Sequence, residues 1–105
     1  GPESEIIHSI VTEGCEIYGH VENSVLSSNV RVGKGANVIY SVVMPGVVIE
    51  SGAIVRHAIL GEDSKVCKNA IVGGAYAEGE KKKISVTSKG AVVEANTVLK
   101  PGDML

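Results

Sequence analysis

The residues able to do chemistry in this chain are few and widely spaced. Three histidines, His8, His20 and His57, are of the type that ligates zinc or serves as a general base. Two cysteines, Cys15 and Cys67, could pair or bind metal. Lys81-Lys82-Lys83 is the one cationic run. Gly33-Lys34-Gly35 and Gly73-Gly74 are the glycine pairs that could bring backbone amides to a phosphate. Whatever they do depends on the elements that bring them together.

Those elements repeat every seventeen residues. One column of triplets runs Cys15-Glu16-Ile17, Val30-Arg31-Val32, Val47-Val48-Ile49, Ser64-Lys65-Val66. A second runs Gly19-His20-Val21, Ala36-Asn37-Val38, Ala53-Ile54-Val55, Ala70-Ile71-Val72. A third runs Ser9-Ile10-Val11, Ser24-Val25-Leu26, Ser41-Val42-Val43, Ala58-Ile59-Leu60. The first rung is two residues shorter, because Tyr18 alone fills one of its turns. In an extended triplet the first and third side chains share a face and the middle one points away. Three such strands per coil predict a triangular solenoid, in which stacked coils bury what a single coil cannot. Helices have no room, since segments of three residues fall short of the roughly ten that a helix needs.

The corners support this independently. Gly14, Asn29, Gly46 and Asp63 precede the first-column strands, and Gly35, Gly52 and Asn69 precede the second-column strands. All are residue types that tolerate positive φ. The third corner reads as a two-residue turn: Glu22-Asn23, Ile39-Tyr40, Arg56-His57. Regular coils are expected over 9–74, an excursion loop over 75–83 and a closing coil over 84–105, built from Ile84-Ser85-Val86, Ala91-Val92-Val93 and Thr97-Val98-Leu99 and capped by Lys100-Pro101-Gly102.

Placed on this frame, most of the candidate chemistry disperses. Cys15 and Cys67 fall three coils apart, about 14 Å at the strand spacing, beyond the roughly 7 Å a disulfide allows. Two unpaired thiols suit a reducing cytoplasm. His8 and His57 share a corner three coils apart and His20 faces elsewhere, so no metal site is expected, and the column His8, Asn23, Tyr40, His57 reads as a solvated edge. The glycine pairs sit at coil turns and are not read as phosphate cradles. A different kind of site comes from the outward residues. Ile10, Val25, Val42 and Ile59 make the third wall apolar on its outside as well, and Ile54 and Ile71 extend that character onto the second wall. Such a strip exceeds what a monomer ordinarily exposes and is read as an interface.

Composition bounds the rest. The 105 residues make one domain, taken as 3–105, with Gly1-Pro2 set aside as the remnant of a protease site, so the chain is expected to be a piece of a longer protein. No apolar run approaches a membrane span and no signal peptide is visible. A net charge of −2 and three tyrosines as the only aromatics exclude a nucleic-acid reader.

The triplets resemble those of the left-handed parallel β-helix, or hexapeptide-repeat, proteins, and that resemblance supplies the hand. Ser41-Val42-Val43-Met44-Pro45-Gly46-Val47-Val48-Ile49-Glu50-Ser51-Gly52-Ala53, Val21-Glu22-Asn23-Ser24-Val25-Leu26 and Arg56-His57-Ala58-Ile59-Leu60-Gly61 are similar to the C-terminal domain of bacterial glucose-1-phosphate adenylyltransferases. The order of four coils, an excursion and a closing Val-Thr…Gly-Ala-Val-Val…Thr-Val segment is similar too. The resemblance implies a parent enzyme that makes ADP-glucose from ATP, with Mg, and glucose 1-phosphate for glycogen synthesis. Its catalytic residues belong to an N-terminal domain that is not in this chain, so no catalytic residue, metal or cofactor is assigned here. It further implies packing against that domain, homo- or hetero-oligomers, and a sugar-phosphate or nucleotide effector held by Arg56, Lys81, Lys82 and Lys83. Where other members place paired arginines this chain has Arg56-His57 and lysines, which leaves the effector open. Two other readings stand beside this one. One is a stand-alone hexapeptide acyltransferase with His57 as base and 75–83 as the covering arm. The other is the tail of a mannose-1-phosphate guanylyltransferase.

Overall fold

A computed structural model of the protein describes residues 5–73 and 83–105, and every regular element in them is a short parallel strand. β1 (Glu5–Ile7) lies beneath four coils. The first coil is β2 (Ile10–Val11), β3 (Glu16–Ile17) and β4 (His20–Glu22); the second is β5 (Val25–Leu26), β6 (Arg31–Val32) and β7 (Asn37–Ile39). The third is β8 (Val42–Val43), β9 (Val48–Ile49) and β10 (Ile54–Arg56); the fourth is β11 (Ala58–Leu60), β12 (Lys65–Val66) and β13 (Ile71–Val72). The closing coil is β14 (Ser85–Thr87), β15 (Val92–Val93) and β16 (Val98–Leu99). Three parallel sheets form the walls, in the orders β1-β4-β7-β10-β13-β16, β2-β5-β8-β11-β14 and β3-β6-β9-β12-β15.

Register follows the columns. Partners are seventeen residues apart between regular coils, as in His20↔Asn37 and Ile54↔Ile71, and fifteen apart at the first rung, as in Glu16↔Arg31. The interior is filled by the first and third residues of the triplets. Val21, Val38, Val55 and Val72 are fully buried on one wall, and Leu26, Val43 and Leu60 on another.

The corners at Gly14, Asn29, Gly46 and Asp63, and at Gly35, Gly52 and Asn69, all have positive φ. In the first of these columns glycine alternates with a short polar residue, and the packing shows why. A Cβ built on Gly14 would meet Asn29 Oδ1, and one on Gly46 would meet Asp63 Oδ1. Each polar side chain leans over the glycine of the coil below, so the two alternate along the axis.

Four expectations are corrected. The third corner is one residue, not two: Glu22, Ile39 and Arg56 belong to strands, and His8, Asn23, Tyr40 and His57 make the turn alone at φ of 46–50°. Parallel strands meeting so sharply leave room for a single left-handed residue. A strand precedes residue 9, since β1 pairs with β4 through Ile6↔Val21. The first strand of the closing coil is shifted by one: Ser85 and Thr87 face inward and Ile84 is exposed, while Ala91-Val92-Val93 and Thr97-Val98-Leu99 keep the expected register. The partners of this coil lie twenty-seven residues away, as in Lys65↔Val92, so the excursion adds ten residues without disturbing register. Lys100-Pro101-Gly102 is a turn and not the end, because Met104 beyond it pairs with Val86.

A serine ladder supports the one-residue corner. Ser24 N–H donates to Ser9 Oγ at 3.0 Å, Ser41 N–H to Ser24 Oγ at 3.0 Å and Ala58 N–H to Ser41 Oγ at 3.3 Å. Each hydroxyl in turn donates to the carbonyl two residues before it, as Ser24 does to Glu22 at 2.9 Å and Ser41 to Ile39 at 3.0 Å. Backbone groups left over by the sharp turn are thereby satisfied inside the wall.

Candidate functional site

The third wall comes out as one continuous apolar column. Ile10, Val25, Val42, Ile59, Val86 and Met104 are in register from bottom to top. Ile10 is 66% exposed and Val25, Val42 and Ile59 are each about 40% exposed, while their neighbours Leu26, Val43 and Leu60 are fully buried. The wall is thus apolar on both faces. Met44 widens it, and Met104 lengthens it beyond the closing coil. Met104 could not be placed there from the repeat, because it follows the turn taken as the end. Ile54 and Ile71 lie half-buried on the second wall, in line with exposed Val98.

Arg56 ends β10 half-buried at the corner. Both roots of the excursion rest there. The backbone at Gly73 (φ +83°) crosses so close to Arg56 that any Cβ would strike its carbonyl oxygen, and Ser85 N–H donates to His57 O at 3.2 Å. Lys83 is exposed at the returning root, its stem beside Gly102. The structure therefore joins Arg56 and Lys83 to one corner. Lys81 and Lys82 lie outside the described residues.

The histidines separate. His8 is exposed on the corner column. The ring of His57 stacks on that of Tyr40, with centroids 5.2 Å apart and planes 8° from parallel. His20 lies on the second wall between two carboxylates: Nδ1 is 2.6 Å from Glu5 Oε1 and Nε2 is 3.0 Å from Glu22 Oε1. The hydrogen bond to Glu22 raises the imidazole above its ordinary value, partial burial opposes this, and Glu5 adds to the rise. Glu5 precedes the columns, so the repeat gives no sign of this clamp. Among the described residues, no three His, Cys, Asp or Glu side chains gather as a metal site. Both cysteines are free, and Cys15 Sγ lies 3.1 Å from Ser27 O.

On the remaining wall a groove of about 520 Å³ opens at Gly33, lined by Tyr18, Arg31, Lys34, Val48, Glu50 and Lys68 among others. Its lining residues come from the middle of triplets and from the turns, so hydrophobic columns do not signal it.

Three parallel walls, left-handed-region corners and a seventeen-residue register define a hexapeptide-repeat solenoid. The chain belongs to the GlmU-like, C-terminal hexapeptide family, whose model matches residues 1–94. It is similar to three glucose-1-phosphate adenylyltransferases. It is 45% identical over 73 residues to that of Acetivibrio thermocellus, covering 70% of this chain and 17% of the relative. It is 46% identical over 86 residues to that of Corynebacterium jeikeium (81% and 21%), and 39% over 99 residues to that of Clostridium perfringens (94% and 24%). The match falls on their C-terminal domain, so the chain spans about a fifth of their length. Among solved structures it is similar to the acetyltransferase domain of PglB from Neisseria gonorrhoeae, with a TM-score of 0.64, 20% identity, and coverage of 98% of this chain and 51% of that one. At that identity the likeness concerns the fold alone.

Proposed function

We propose that this chain is the regulatory and assembly domain of a sugar nucleotidyltransferase that makes ADP-glucose from ATP and glucose 1-phosphate in the cytoplasm. One observation carries the reading: a domain homologous to the tails of glucose-1-phosphate adenylyltransferases exposes an unbroken apolar column along one wall. A surface of that kind is what packing on a catalytic domain or a second subunit requires. Ile10, Val25, Val42 and Ile59 make the contact, with Ile54 and Ile71 at its margin. Arg56, with Lys81, Lys82 and Lys83 from the excursion rooted above it, forms the basic half of a site for a phosphorylated effector. The catalytic half, with ATP and Mg, lies in the parent's other domain.

The test uses the full-length parent and measures ADP-glucose formed from ATP and glucose 1-phosphate against a panel of sugar phosphates. The triple change Lys81→Ala, Lys82→Ala, Lys83→Ala is expected to weaken activation while leaving the effector-free rate nearly unchanged. Arg56→Ala is expected to act in the same direction and less than additively, since both bind one anion. A parent without adenylyltransferase activity sinks the assignment. A triple variant with a full activation curve sinks the effector corner alone.

A further inference from the structure

We propose that Glu5, His20 and Glu22 form a pH-released latch, which holds β1 on the solenoid while the imidazole is protonated and lets it go when the proton leaves. The latch involves neither the apolar wall nor the corner of Arg56.

β1 is the least supported strand of the stack. It lies a rung below the first coil, and the other two walls end above it at β2 and β3. It pairs on one side only, with β4, through Glu5↔His20, Ile6↔Val21 and Ile7↔Glu22. Ile6 takes the inward position and is still 48% exposed, whereas Val21 above it is fully buried. Little apolar burial therefore opposes the departure of β1. Its two ends are held differently. The Ile7 carbonyl accepts from Asn23 N–H at 3.0 Å and from the Ser9 hydroxyl at 2.8 Å, which pins that end to the corner at His8. At the other end the Glu5 side chain on His20 supplements the pairing of the backbone. β1 therefore opens from its Glu5 end.

The release follows from the ring itself. Nδ1 lies 2.6 Å from Glu5 Oε1 on β1, and Nε2 lies 3.0 Å from Glu22 Oε1 on β4. An imidazolium donates from both nitrogens and satisfies both carboxylates. A neutral imidazole keeps one N–H, and its other nitrogen turns a lone pair on the oxygen it faces. The Glu22 side chain is 34% exposed and that of Glu5 is 65% exposed. The remaining proton stays with the more buried Glu22, and the contact given up is the one between strands. From β7, on the far side, His20 meets Asn37 and Glu22 meets Ile39, neither of them charged. The three strands carry no other titratable side chain. The raised imidazole value sets the direction: the latch is fully closed below the ordinary 6.5 and opens as pH rises through the raised value. Because the chain enters the stack through β1, opening moves its first fixed point from Glu5 to the corner at His8.

The test follows the isotope-labelled 105-residue chain by nuclear magnetic resonance between about pH 5 and 9. The His20 ring nitrogens are expected to titrate with a midpoint above 6.5. Amide exchange at Glu5 and Val21, corrected for its intrinsic dependence on pH, should accelerate at least about tenfold through that midpoint, while exchange in β10 stays level. Glu5→Gln should leave His20 titrating at a lower midpoint and abolish the acceleration at Val21, because a carboxamide can meet either form of the ring. Glu22→Gln should move midpoint and acceleration down in pH together. Level exchange at Val21 through the His20 titration, or an acceleration that survives Glu5→Gln, overturns the latch. An acceleration shared equally by β10 overturns it as well, since the whole solenoid would then be loosening.

Discussion

Ser41→Ala tests whether the serine ladder holds the one-residue corner. Ser41 is 3% exposed, and its Oγ accepts the amide proton of Ala58, itself 2% exposed. Removing the hydroxyl leaves that amide without its acceptor where water cannot replace it, at about 1–3 kcal/mol. The loss at Ile39 O is smaller, because that carbonyl also accepts from His57 N–H at 3.1 Å. A total near 2 kcal/mol lowers the melting temperature of a domain this size by roughly 8–16 °C. Urea unfolding followed by far-ultraviolet circular dichroism reads the change directly, provided the denaturant slope is unaltered. Ser9→Ala serves as the control. Its hydroxyl receives Ser24 N–H in the same way, but at a partly exposed end of the ladder, so it should cost less. A loss below about 0.5 kcal/mol for Ser41→Ala, or equal losses at both positions, refutes the ladder as the support of this corner.

Gly52→Val should destabilise the chain by more than about 1 kcal/mol in the same assay, since φ is +72° and a Cβ would meet Asn69 Oδ1; a neutral result undoes the account of the corners. Val42→Glu, on the exposed column, should leave the fold intact and weaken self-association or docking at least about tenfold by sedimentation or calorimetry. A strictly monomeric wild-type chain that also fails to dock counts against the wall as an interface. His20 has a raised folded-state value, so its contribution is complete below its ordinary 6.5 and is lost as pH rises through the raised value. His20→Gln should therefore abolish a fall in melting temperature that sets in as pH rises above about 6.5, and an unchanged profile excludes the clamp.

The walls were readable because their residues repeat: small–outward–large triplets and corner glycines and asparagines state the register directly. What escaped did so for physical reasons. Tyr40 and His57 are poor markers of positive φ, so their corner looked like two residues, although Asn23 in the same column carried the hint. β1 was legible too: Ser4-Glu5-Ile6 puts a small residue first, Glu5 and Ile6 pair with His20 and Val21, and His8-Ser9 echoes Asn23-Ser24. The first strand of the closing coil slipped by one because Ser85 and Thr87 bury hydroxyls that find partners inside, Thr87 Oγ1 lying 3.1 Å from Ser64 Oγ. The apolar column was legible at Ile10, Val25, Val42 and Ile59 but not at Val86 and Met104, which lie in the shifted strand and beyond the turn taken as the end. Arg56 and Lys83 were brought to one corner by the excursion's roots, which composition cannot locate.

The alternation at one corner also limits how such a chain can have grown. Gly14, Asn29, Gly46, Asp63 and Gly90 follow one another up the axis, each polar side chain occupying the space over the glycine below. Duplicating a single coil would set glycine on glycine, leaving a void, or a carboxylate on a carboxamide, forcing a crowd. Copying or deleting two coils, thirty-four residues, preserves the order. The unit at this corner is thus the pair of coils, twice the period of the hydrophobic pattern; because the neighbouring corner sets Gly52 directly over Gly35, a chain shortened by seventeen residues should still fold, but less stably than one shortened by thirty-four.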